Sequence, residues 1–191
     1  MLDLPKQFVI FDLEWTAWEG SLERQWSGPG EYREICDVGA VQVMGDQFEV
    51  TNTFRQLVTL ELVAELPPYT TKLTGITAAD VRDKGMPYHE ALKNFATFCG
   101  NDQLYCWGKD GEIIAENCRL KHVPNPFEAN RFNNMREFFK EHGIPADNYY
   151  SSTIVEAFGK KNTHTAHQGL DDALNIAEAL RYLSNKASFR S

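Results

Sequence analysis

Residues 7 to 13, QFVIFDL, form a short apolar run bounded by Pro5 and by the polar stretch after Glu14. Such a run suits a strand buried on both faces at the centre of a sheet. Near its end Asp12 and Glu14 stand two positions apart, so the strand period of two points both carboxylates to one face. Two acids side by side on a buried strand are costly. Their repulsion and desolvation demand either raised pKa values or a cation, and hard, oxygen-seeking Mg²⁺ or Mn²⁺ is the usual answer. If the strand has already ended, the same two acids are ordinary solvated edge residues, and the pair alone does not decide between the two readings.

The rest of the chain supplies what packs around that strand. A loop from about Trp15 to Tyr32 holds Gly20, Gly28, Pro29, Gly30 and three tryptophans, Trp15, Trp18 and Trp26. It exceeds what a connection requires, which points to a binding loop. Two β-rich runs, about 34 to 44 and 47 to 57, flank the turn signal Gly45-Asp46 and predict a hairpin. Thr77, three residues before Asp80, gives a capping-box-like start to a short helix. Pro87, the helical spacing of Ala91, Leu92, Phe95, Phe98 and Cys99, and the stop at Gly100 predict a helix from Tyr88. LYCW at 104 to 107 predicts a further strand, Gly108 breaks it, and a helix starts near Asp110. The prolines of 122 to 130 make a loop, followed by helical segments around 131 to 142 and 151 to 159. A last helix runs from about Gly169 to Leu183, with Leu170, Ala173, Leu174, Ala177 and Leu180 on one face. Three strands followed by alternating strands and helices indicate an α/β or α+β sandwich: a mixed central sheet whose opening strands form an antiparallel meander.

A length of 191 residues, 42% of them hydrophobic, suits one sizeable core, so a single domain over 1–191 is expected. The formal net charge of −8 argues against holding long duplexes by positive potential; a nucleic-acid partner would be gripped locally. Cys36, Cys99, Cys106 and Cys118 show no zinc-type pairing and read as buried thiols of a reduced intracellular protein. Asp3 and Pro5 come too early for a signal-peptide core, and no apolar run approaches the ~20 residues of a membrane helix. A soluble, cytoplasmic chain without membrane contact is expected.

Three more residues extend the pair of acids. Asp110 follows Gly108 where the LYCW strand ends, and loops just beyond the carboxyl ends of strands are where open α/β sheets bind ligands. It also suits the first turn of a helix. In HQGLDDA, a helical wheel puts Asp172 about 90° from the middle of the apolar arc and Asp171 nearly opposite it. Asp172 can therefore look toward the sheet while Asp171 faces water, although both would also favour a helix N-terminus. Nothing local distinguishes His167 from a surface histidine, and His164 carries no signal of its own.

Taken together, FDLEW with its Asp-x-Glu, WGKDGE with a middle Asp, and HQGLDDA with a His five residues before an Asp resemble the DEDD superfamily of 3′-to-5′ exonucleases. A His at that place, rather than Tyr, resembles the DEDDh branch, and Asn175-Ile176 after the last motif is similar to the Eri-type histone-mRNA and small-RNA exonucleases and their bacterial relatives. The resemblance spans nearly the whole chain, including LTGIT at 73 to 77. Trp15 and Thr16 depart from it, standing where many relatives carry a small residue and Thr-like groups.

The resemblance implies an RNase H-like α/β fold with a mixed five-stranded sheet flanked by helices. It implies removal of nucleoside monophosphates from 3′ ends of single-stranded RNA or DNA, with RNA favoured. Asp12, Glu14, Asp110 and Asp172 would hold two Mg²⁺ ions, which Mn²⁺ could replace. His167 would be the general base, and its ordinary pKa of about 6.5 suits it to that role. Glu14 would also take a hydrogen bond from the terminal 3′-OH, and Trp15, Thr16, Leu73, Ile76 and His167 would contact the terminal nucleotide. Trp18 suits base stacking or partial core burial, as does Trp26. Lys109, Lys160 and Lys161 could meet phosphates. Two rivals stand beside this: a non-cutting RNase H-like regulatory binding module, which predicts loss of at least one acid, and a hydrolase of free nucleotides or short oligonucleotides, which would lack steep salt dependence.

Overall fold

The computed structural model describes residues 2–188, with side chains through residue 185. Five strands, β1 (Gln7–Trp15), β2 (Ile35–Met44), β3 (Glu49–Leu57), β4 (Gln103–Cys106) and β5 (Phe132–Asn134), form one sheet in the order β3-β2-β1-β4-β5. β1, β2 and β3 pair antiparallel, whereas β4 and β5 run parallel to β1. Six helices surround the sheet: α1 (Pro68–Thr74), α2 (Ala78–Lys84), α3 (Tyr88–Cys99), α4 (Asp110–Leu120), α5 (Met135–Glu141) and α6 (Gly169–Ser188).

β1 is central because both of its faces are apolar. Phe8 and Ile10 pack with Val41, Val43 and the α6 residues Ala173, Ile176, Ala177 and Leu180. Val9, Phe11 and Leu13 point the other way, into a second cluster with Ala91, Leu92 and Phe95 of α3 and Ile113 and Ile114 of α4. Each face thus buries a layer of helices, which is what a continuous apolar run demands. Asp12 and Glu14 continue the alternation of Phe8 and Ile10. Both carboxylates therefore emerge on the α6 side.

Two glycines let α6 sit directly on the sheet. Gly39 lies opposite Asp12 in the β1–β2 register, and a Cβ there would fall 1.8 Å from the backbone nitrogen of Leu170. A Cβ on Gly169 would fall 2.8 Å from the carbonyl oxygen of Asp12. Nothing in this contact is a flexible side chain that could move aside. Gly39→Ala is expected to cost about 3 kcal/mol, the upper end of overpacking penalties, and to lower the melting temperature by ~6–12 °C for a domain of this size. A melting temperature within 2 °C of wild type would show, by that same scale, that the seat is looser than the geometry states.

Several elements depart from the sequence expectation. The helix expected over 131 to 142 begins instead with a 3₁₀ turn (Ala129–Arg131) and β5, and only Met135–Glu141 is helical. Pairing with β4 decides this, reinforced by the Asn133 amide, which donates to the carbonyl of Leu104 at 3.3 Å and to Gln103 Oε1 at 3.0 Å. The helix expected over 151 to 159 is 3₁₀ over Ser151–Phe158. α1 was not anticipated, although Pro68 opens it and Gly75 closes it at φ 73°. The capping box is present: Thr77 Oγ1 accepts from the Asp80 N–H at 3.1 Å, and the Asp80 carboxylate accepts from the Thr77 N–H at 3.1 Å. Among the described residues no helix is long and apolar enough to cross a membrane, and all four cysteines are free and buried.

Candidate active site

The sheet and the seat of α6 bring the sequence-remote acids into one place. Asp12 and Glu14 come from the end of β1, Asp110 from the first residue of α4 just past β4, and Asp172 from the first turn of α6. Asp12, Asp110 and Asp172 are buried and Glu14 is half-buried. Ligand atoms of Glu14, His167 and Asp172 all lie within 4.8 Å of one another. Asp12 and Asp110 stand around this trio within charge range of it.

The electrostatics record that convergence. Burial pushes the Asp12 carboxyl well above the usual range, and the charges of Asp172, Asp110 and Glu14 push it further. Glu14 is raised by burial and then by Asp172, Asp37 and Asp110, with Arg55 opposing them. Asp110 and Asp172 are each pushed up to about 7, chiefly by burial. Asp172 is half satisfied. Its Oδ2 accepts from Ser151 Oγ at 3.1 Å, while its Oδ1 is buried and has no hydrogen-bond partner. A buried carboxylate oxygen without a donor, in a cluster of acids, is chemically suited to a hard divalent cation.

His167 precedes α6 with a φ of 60°, and its backbone N–H lies near enough to the Asp172 carboxylate to oppose the rise that burial imposes on it. Its ring is half-buried, and desolvation holds its pKa below the ordinary histidine value. The imidazole is therefore neutral near pH 7 and able to accept a proton.

The expected nucleotide contacts divide. Leu73 is exposed on α1, which the Thr70 hydroxyl fastens to the loop after β1 by accepting from the Ala17 N–H at 2.8 Å and donating to the Ala17 carbonyl at 3.0 Å. Ile76 is buried with Cys36, Leu66 and Val81. Thr16 is fully buried, and its hydroxyl donates to the Tyr32 carbonyl at 2.5 Å and accepts from the Glu34 N–H at 3.1 Å. That side chain closes the loop and has no free group for a substrate. Trp15 packs against the cluster on the α3 and α4 face and against the Trp26 ring, away from Glu14. Trp26 is a fastener as well, donating from Nε1 to the Thr16 carbonyl at 2.8 Å. Trp18 is half-buried. Lys109 pairs with Glu112 at 3.2 Å, and the Lys160 ammonium lies 5.4 Å from the Tyr182 ring centroid.

Residues 9–180 match the family model described as exonuclease (RNase T). The chain belongs to this exonuclease family. Among curated relatives, mouse 3′-5′ exoribonuclease 1 is 28% identical over 194 residues, covering 95% of this chain and 54% of the relative. The probable 3′-5′ exonuclease KapD of Bacillus subtilis (strain 168) is 27% identical over 191 residues, covering 95% of this chain and 86% of the relative. The chain thus spans about half the length of the mammalian relatives it matches. Among solved structures, the nuclease domain of 3′hExo, a DEDDh family member bound to rAMP, superposes with a TM-score of 0.83 at 23% identity, over 97% of this chain and 95% of the other. Cell-death related nuclease 4 gives 0.76 at 16% identity, over 95% and 64%. The fold of this chain is the RNase H-like one those neighbours share, and divalent-metal dependence is general to the family.

The candidate site also contains residues that the sequence did not announce. Ser151 donates to Asp172 and lies close enough to Asp12 to oppose the rise of its carboxyl, and the Asn175 amide holds the Ser151 carbonyl. Asp37, fully buried on β2, and Arg55 on β3 form an ion pair at 3.1 Å beside Glu14. An acid within the apolar run of β2 was the one available signal, since buried carboxylates are rare without a partner.

Proposed function

We propose that this chain is a divalent-metal-dependent 3′-to-5′ exonuclease that releases nucleoside monophosphates from single-stranded RNA. The observation that carries the reading is the convergence of Glu14, His167 and Asp172, with Asp12 and Asp110 within charge range and one Asp172 oxygen left without a partner. The RNA preference is supported by the names of the mammalian relatives and the bound rAMP of the neighbour.

Asp12, Glu14, Asp110 and Asp172 would hold two ions, for which Mg²⁺ fits the all-oxygen set and Mn²⁺ can substitute. Bound there, the ions supply a lowered pKa for an attacking water and charge neutralisation for the departing O3′. The protein's own groups do the rest. His167 takes the proton from the water, with a ring nitrogen held within 4.8 Å of the Glu14 and Asp172 carboxylates. Glu14, half-buried beside it, accepts from the terminal 3′-OH and so admits only a chain end. Leu73 packs against the terminal base from α1, and Ile76 shapes the wall behind it. Free buried thiols suit a reducing compartment, which supports a cytoplasmic location.

The direct test is 5′-labelled single-stranded RNA and DNA 20-mers resolved on a sequencing gel with Mg²⁺, Mn²⁺ or EDTA. A ladder shortening one nucleotide at a time, absent in EDTA, is expected; intact substrate with both metals, or internal cuts, would refute the reading. His167→Ala should lower kcat by ~10²–10⁴-fold, the range of general-base catalysis, with KM within a few-fold of wild type.

A further inference from the structure

The segment that carries His167 is held from two sides by residues that the chemistry above does not use. Asp12, Gly39 and Arg55 form one row across β1, β2 and β3. The missing side chain at Gly39 makes a trough in which residues 169 and 170 lie, with Arg55 on the far bank. From there the Arg55 guanidinium reaches both oxygens of Asp37, Nε at 3.3 and 3.2 Å and Nη2 at 3.1 Å, and its Nη1 donates to Gln168 Oε1 at 2.9 Å. Burial raises the Asp37 carboxyl, and the Gly169 backbone N–H nearby is among the groups that oppose the rise. Gln168 is therefore tied to the ion pair by its side chain, and Gly169 lies beside that pair.

His167 needs such support. Its φ of 60° lies in the left-handed region, which a non-glycine residue keeps only where its surroundings over-determine it. The Asp172 N–H donates to the Gln168 carbonyl at 2.9 Å and the Thr165 N–H to Asp171 Oδ2 at 3.1 Å; both ties run to the helix, whereas Arg55 reaches the turn from the sheet.

We infer that Arg55 is a positioning residue for His167, acting through Asp37 and Gln168; the inference rests on the exonuclease reading. Its Nε and Nη1 donate to Asp37 and Gln168, and through these bonds its effect reaches the reacting atoms by way of the turn. Two other roles for Arg55 are distinguishable. It lines a cavity of about 440 Å³ with Leu57, Ile76, Lys84 and Gln168, where it could hold a substrate phosphate, and its charge lies close enough to act on Glu14 directly. Gln168→Ala keeps the ion pair and its charge but frees the turn. Arg55→Lys keeps the charge but cannot span both partners.

The test is single-turnover hydrolysis of 5′-labelled single-stranded RNA by Arg55→Lys and Gln168→Ala, each in wild-type and His167→Ala backgrounds, with melting temperatures alongside. In the wild-type background each variant is expected to lower the rate at saturation ~10-fold, as for a displaced catalytic group, with half-saturation within twofold. In the His167→Ala background, where nothing remains to be positioned, the loss should shrink to less than twofold, the non-additivity of residues that act through one another. Equal losses in both backgrounds, or weaker half-saturation at an unchanged rate, would overturn the inference while leaving the exonuclease reading intact. A wild-type protein that fails to shorten the substrate would overturn both.

Discussion

Asp172→Asn should yield a protein that is more stable than wild type without divalent ions, unresponsive to them, and inactive. The reason lies in the sign of the shifts. An aspartate ionises near 3.9 in an unfolded chain, whereas Asp172 and Asp110 are pushed up to about 7 in the folded one and Asp12 and Glu14 are also raised. The native state therefore binds more protons across that interval. Metal-free stability falls as pH rises from about 4 through about 7 and levels off once the native acids are ionised. Replacing one of the four with a neutral amide removes its own desolvation and relieves its neighbours. At pH 8 without metal, the melting temperature should rise. In the wild type, an ion at 100 times its Kd adds ~2.7 kcal/mol, or ~5–11 °C for a domain of this length; in Asp172→Asn most of that response should vanish. Activity should fall on the order of 10³-fold or more, since several kcal/mol of transition-state stabilisation are lost. Calorimetry with and without Mg²⁺ and Mn²⁺, beside the gel assay, checks all three. A metal response as large in the variant as in wild type would show that Asp172 is not a ligand.

What the sequence made legible followed from periodicity. A strand period of two correctly sent Asp12 and Glu14 to one face because β1 is regular as far as Glu14; the register slips only between Glu14 and Trp15. The helical wheel separated two adjacent acids correctly, with Asp172 buried and Asp171 half-exposed at the helix start. Where periodicity stopped, so did legibility. β5 is three residues, Phe132, Asn133 and Asn134, which carry no alternation and are a strand only because β4 pairs with them. Trp15 and Thr16 lie just past the slip, so their directions are set by the loop they close. The Asp37, Arg55 and Gln168 network joins residues up to 131 positions apart. It exists through the register of β2 with β3 and the trough at Gly39, neither of which a linear reading supplies.

A second large effect is expected far from the acids, at Lys121. Its ammonium, 1% exposed, lies 2.6 Å from Glu34 Oε1, and the Glu34 carboxylate, 0% exposed, also accepts the backbone N–H groups of Glu61 at 2.6 Å, Leu62 at 3.0 Å and Val63 at 2.9 Å. One ion pair thus joins the residue before β2, the segment that leads into α1, and the C-terminal end of α4. Lys121→Met would leave Glu34 charged, buried and without a counter-ion, a loss of about 3–5 kcal/mol, or ~6–20 °C in melting temperature. Glu34→Gln would take one oxygen from the backbone donors of residues 61 to 63 and leave the lysine only its longer contact to Glu61 at 3.7 Å, at comparable cost. In the double variant neither charge remains to be stranded, so the two losses should fall short of additivity by ~2 kcal/mol or more. Urea unfolding of the four proteins at one metal concentration measures this coupling. Additive losses would mean that the ammonium and the carboxylate are stabilised independently. The segment into α1 would then owe its position to packing around Leu66 rather than to the buried pair.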